Sequence, residues 1–166
     1  MPLTARFLAP LVALALFAGC GIESDSTAPA DQVSEAAEVP GDADPEATQV
    51  IADWADALRS GDVEAAAGYF AIPSVAENGP LLVRIRSESD AVAFNETLPC
   101  GAELVAAENG GRFTTATFEL TERPGPGVCG PGTGGTAKTA FVIRDGEIVE
   151  WRRVGADPEP PVGQSV

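Results

Sequence analysis

Val50-Ile51-Ala52-Asp53-Trp54-Ala55-Asp56-Ala57-Leu58, closed by Ser60-Gly61-Asp62, is the stretch on which the fold turns. Val50, Ile51, Trp54, Ala57 and Leu58 recur at the spacing of an amphipathic helix. The start lies just upstream. Asp44 can cap, Pro45 suits the first helical position, and Glu46 places an acid at the positive end of the helix dipole. Ser60-Gly61 ends this helix, and Asp62 caps a second that the spacing predicts through Ala71, with Ala66, Tyr69 and Phe70 on its buried side. Pro73 and the turn Asn78-Gly79-Pro80 break it. Leu81 to Ile85 reads as a short strand. Ser87 to Asp90 forms a capping box of the Ser-x-x-acid kind and opens a third helix to about Leu98, with Val92, Phe94 and Leu98 facing inward.

After Pro99 the period drops to two. Glu103–Ala107 and Arg112–Glu122 flank Asn109-Gly110-Gly111, a hairpin signal, and Ala116, Phe118 and Leu120 share one face. Arg123–Gly135 is a long Pro/Gly loop. Lys138–Val154 makes a last hairpin about Asp145-Gly146, with Phe141 and Ile143 before the turn and Val149 and Trp151 after it. Helices followed by antiparallel strands predict an α+β domain.

Here the chain resembles the NTF2-like (SnoaL-like) superfamily. The resemblance runs over 47–154. It rests on Val50–Leu58, the Ser60-Gly61-Asp62 link, Ala65–Phe70, and the closing Ala140–Arg152. It implies a cone in which a curved antiparallel sheet packs on three N-terminal helices, with a pocket between them. Family members include isomerases, dehydratases, hydrolases and domains with no known activity, so fold alone does not select a function. Trp54, Tyr69, Phe70, Phe94, Phe118, Phe141 and Trp151 are the candidate lining of a pocket for a small apolar ligand; equally, they could simply fill a core. Family members often pair through the sheet, which makes a homodimer an expectation.

Catalytic signatures are sparse. The chain has no histidine, which removes the histidine-dependent dehydratase chemistry of the family and any serine triad at Ser74, Ser87 or Ser89. Tyr69 is the single tyrosine, spaced for the core with its hydroxyl at the cone mouth. Asp53 and Asp56 flank Trp54 on the wet face of the first helix, and the strand acids Glu103, Glu119, Glu147 and Glu150 are expected to face water. Gly130-Pro131-Gly132-Thr133-Gly134-Gly135 satisfies G-x-G-x-x-G but leads into a strand, so it is no dinucleotide loop. No cofactor or metal motif is read, and no catalytic residue is assigned.

The ends of the chain speak to location. Phe7–Phe17 is apolar but for Pro10, too short to span a bilayer, and Leu16-Phe17-Ala18-Gly19-Cys20 resembles a bacterial lipobox. That resemblance implies a signal peptide over 1–19 and acyl groups on Cys20; the alternative is an ordinary secreted protein in which Cys20 is incidental. Residues 20–46 are acidic and poor in large apolar groups, which predicts a disordered tether, and 155–166 reads as a disordered tail. With Cys20 acylated, Cys100 and Cys129 are left as a pair for a disulfide in an oxidising compartment; the alternative is two buried thiols. Net charge is −15, from 25 acidic and 10 basic residues, which argues against a nucleic-acid partner. The composite expectation is a lipoprotein on the extracytoplasmic face of a cell membrane, carrying a non-catalytic binding or interaction module. A pocket enzyme of isomerase or hydrolase type is the alternative.

Overall fold

A computed structural model of the chain describes residues 40–155. The leader, Cys20, most of the tether and the tail from Ala156 lie outside the described residues. Helix α1 spans Pro45–Ser60, and the Asp44 carboxylate accepts from the Ala47 N–H at its start. Gly61, with φ of +83°, closes it in the left-handed region. There the Gly61 and Asp62 N–H groups satisfy the carbonyls of Leu58 and Ala57. Ile51, Trp54, Ala55 and Leu58 form its buried stripe.

Helix α2 is shorter than its spacing predicts. It spans Val63–Ala67, and strand β1 begins at Phe70 and runs to Asn78. The Tyr69 carbonyl accepts from the Ile148 N–H at 2.8 Å, which draws the chain into the sheet. Apolar spacing over so few residues suits a helix turn or a strand, and long-range pairing decided between them. The Ile72–Pro73 peptide bond is cis. Strand β2 spans Leu81–Ile85, and helix α3 spans Glu88–Glu96 with Ser87 as its cap. Strands β3 (Gly101–Gly110), β4 (Phe113–Thr121), β5 (Thr136–Arg144) and β6 (Glu147–Val154) complete the domain.

The six strands form one sheet in the order β2-β1-β6-β5-β4-β3. It is mixed rather than wholly antiparallel, because β1 lies parallel to β6. Register shifts at Leu104/Ala106 and Val142/Ile143 mark bulges, the usual means by which a sheet curls. The core sits between its inner face and the helices. Trp54 meets Phe118, Phe141 and Trp151 edge to face, and Phe94 bridges Trp151 to Phe70.

The expected tether overlaps the described residues at 40–46, and there it is bonded rather than loose. The Ala107 N–H donates to the Pro40 carbonyl (2.9 Å), and Asn109 donates to Asp42 from both its backbone N–H and its side-chain amide. These contacts occupy part of the free edge of β3. Gly41 allows the approach: its φ is +135°, and a Cβ there would lie 1.6 Å from the Ala107 oxygen. The composition of 20–46 gives no hint of this, because the contacts are backbone and short polar ones.

Candidate functional site

A cavity of about 230 Å³ lies among α1, the segment that follows α3, and strands β3 to β6. Its apolar wall includes Trp54 and Leu58 from α1, Leu98, Phe118 from β4 and Trp151 from β6. Asn78, Thr139 and Arg153 supply the polar side chains, and none of the lining residues is a carboxylate. Cys100 and Gly132 complete one side.

The disulfide shapes that side. Cys100 and Cys129 are joined, at a sequence separation of 29. The bridge holds the Pro/Gly loop against the start of β3. Gly132 sits so close that a Cβ would lie 3.3 Å from the Cys129 sulfur. The loop is held twice more by Glu122, whose carboxylate accepts from the Gly130 N–H (3.0 Å) and the Thr133 hydroxyl (2.7 Å). These bonds, that of Thr133 foremost, hold the Glu122 carboxyl below its ordinary range. The G-x-G-x-x-G run is therefore part of a pinned loop that enters β5.

Two indoles face the cavity on different terms. Trp54 donates to the Asn95 side-chain oxygen at 3.0 Å, and Asn95, fully buried, returns its amide to the Ala91 carbonyl at 2.8 Å. Trp151 is 4% exposed, and its indole N–H has no partner among the described residues. A buried donor left in this state is costly, on the order of 1–3 kcal/mol.

Of the seven aromatic candidates, Trp54, Phe118 and Trp151 line the cavity. Phe70, Phe94 and Phe141 are buried in the core behind it. Tyr69 packs half-buried against that core from the α2–β1 junction and is not among the residues that line the cavity. Its carbonyl, bonded to β6, fixes it there. Glu103, Glu119 and Glu147 are exposed as expected. Glu150 is the exception: it is 9% exposed and paired with Arg112 (2.7 Å) and Arg152.

Arg123 carries a role that spacing could not reveal. It is buried, donates through Nε to the Leu98 carbonyl (2.9 Å), and reaches the Asn95 and Glu96 carbonyls with Nη2. A cation so placed satisfies the end of α3 and complements its dipole. Burial lowers the pKa of its guanidinium, and the charge of Glu96 opposes that. Among the described residues no cluster of three or more metal-ligating side chains forms, and no helix is long and apolar enough to cross a membrane.

The sequence matches no family model and no curated protein. The fold does match. An NTF2-like protein of unknown function from Burkholderia xenovorans superposes with a TM-score of 0.50 at 14% identity, covering 73% of this chain and 95% of its own. A second, from Cytophaga hutchinsonii, does so with a TM-score of 0.50 at 10% identity, over 64% of this chain and 87% of its own. The domain has the NTF2-like fold. A de novo designed protein with a curved β-sheet is also similar, with a TM-score of 0.53 at 16% identity, over 68% of this chain and 86% of its own. Likeness at these identities is one of architecture. For this NTF2-like domain, function must be argued from the cavity itself.

Proposed function

We propose that this chain is an extracytoplasmic lipoprotein whose NTF2-like domain is a non-catalytic binding module for a small, largely apolar ligand that bears a hydrogen-bond acceptor. The observation that carries the binding half is the cavity lining. It pairs an apolar wall, Trp54 and Trp151 included, with the polar groups of Asn78, Thr139 and Arg153. Its volume, about 230 Å³, exceeds the roughly 150 Å³ that holds benzene in an engineered protein. Proton-transfer chemistry of the family type calls for a carboxylate facing the ligand, and the lining offers a guanidinium instead. The anchoring half rests on Leu16–Cys20 and the acidic stretch behind it. Two or more acyl chains on Cys20 would hold the chain durably, at about 0.8 kcal/mol per buried CH₂.

Both halves can be tested. Cys20→Ser should move the protein from the membrane fraction to the soluble extracytoplasmic fraction; unchanged membrane association removes the anchor. In an NMR titration, 2-naphthol should shift the indole N–H signals of Trp54 and Trp151 saturably. Arg153→Leu should weaken 2-naphthol more than naphthalene, which lacks the acceptor. No saturable shift, or equal weakening of the two, counts against the cavity as the site.

A further inference from the structure

The opposite face of the sheet carries a second concavity, of about 460 Å³, and its composition is at odds with the rest of the chain. Arg84, Arg86, Arg112 and Arg144 all line it, four of the ten basic residues in a protein of net charge −15. Register shows which face of the sheet this is. Arg84 stands opposite Val75, Val75 opposite Glu150, and Glu150 opposite Val142, one row across β2, β1, β6 and β5. The adjacent row, Val83, Ala76, Trp151 and Phe141, packs inward. Arg84 and Glu150 therefore lie on the face turned away from α1.

Charge within the groove is not balanced. Glu150 is its one acid, and Arg112 and Arg152 already share it. Asp90 approaches from α3, but its carboxylate accepts from the Arg86 backbone N–H, at 2.9 Å. The guanidinium groups of Arg84, Arg86 and Arg144 make no ion pair or hydrogen bond among the described residues. Like charges gathered in a concave surface raise the local potential and attract an anion. Strands β2 and β5 are three sheet spacings apart, about 14 Å, so an anion held between them is met from two sides.

We infer that this groove binds a phosphate-type oxyanion, held by Arg84, Arg86 and Arg144. Guanidinium forks match such oxygens bidentately, which distinguishes phosphate from chloride. The site is separate from the apolar cavity and does not depend on what that cavity binds. The phosphate could be a soluble ion or ester, or a lipid headgroup.

The test uses the chain carrying Cys20→Ser, so that no acyl group contributes. Inorganic pyrophosphate is titrated by NMR at constant ionic strength in sodium chloride. Vesicles of phosphatidylglycerol, with phosphatidylcholine as control, are tested by co-sedimentation. Arg84 and Arg144 are exposed, so the double variant Arg84→Ala/Arg144→Ala should keep its thermal midpoint. It should weaken either interaction by about tenfold or more, as expected for lost charge-assisted bonds. Saturable pyrophosphate binding lost in that variant supports a soluble ligand. Sedimentation with phosphatidylglycerol alone, lost in the variant, supports a headgroup. Binding in neither arm, or binding that the folded variant retains in full, overturns the inference.

Discussion

Asn95→Leu is the most searching single change for the core that frames the cavity. Leucine has the same number of side-chain heavy atoms and the same branching as asparagine, so the helix is kept while the polar contacts go. The Trp54 indole N–H then loses its acceptor at 3.0 Å in a fully buried site. Leaving that donor unsatisfied costs about 1–3 kcal/mol. The second lost bond, from Asn95 to the Ala91 carbonyl, contributes about 0.5–1.5 kcal/mol, and burying an apolar group in its place offsets part of the total. The expected net loss is about 2–3 kcal/mol, a large share of the stability of a small domain. It corresponds to a fall in thermal midpoint of roughly 10 °C. Urea unfolding followed by circular dichroism, with the disulfide kept intact, measures it. Trp54→Phe in the Asn95→Leu background removes the orphaned donor. The two changes together should therefore cost less than their sum by about 1–2 kcal/mol. If Asn95→Leu lies within about 0.5 kcal/mol of the parent, or the pair is additive, the indole–amide bond does not hold the cavity wall and the reasoning fails.

Three further outcomes follow from local geometry. Reducing Cys100–Cys129 frees a loop whose ends have a sequence separation of 29 and should lower stability by about 3–4 kcal/mol in the chain-entropy model. A thermal midpoint indifferent to reductant would contradict that. Gly41→Ala should detach Pro40–Asp44 from β3 and speed hydrogen exchange at the Ala107 N–H while global stability barely changes; unaltered protection there would refute the docking. Glu122 has a folded pKa below its unfolded value. Its support for the loop is thus complete above the ordinary carboxylate range and fades as pH falls through the folded value. The gap in thermal midpoint between the parent and Glu122→Gln should therefore be present at neutral pH and close in acid; a gap independent of pH would rule out the carboxylate as the cause.

What the sequence determined by itself was local. The Asp44-Pro45-Glu46 cap, the apolar stripe of α1, the Ser87 cap of α3 and the turns at Asn109-Gly110-Gly111 and Asp145-Gly146 are short-range signals, carried by neighbouring residues. They sufficed for the α+β class. Tertiary structure decided the rest, because the deciding partners lie far apart in the chain. Phe70 entered a strand only because β6 lies beside it. Trp54, Phe118 and Trp151 border the cavity while Phe70, Phe94 and Phe141 lie deeper in the same core, a distinction that apolar spacing does not encode. Arg123, Glu150 and the arginine groove were equally unreadable. A charge at a strand or loop position has the same spacing whether it meets water, a helix end or three other guanidiniums, and only the folded sheet brings those groups within reach.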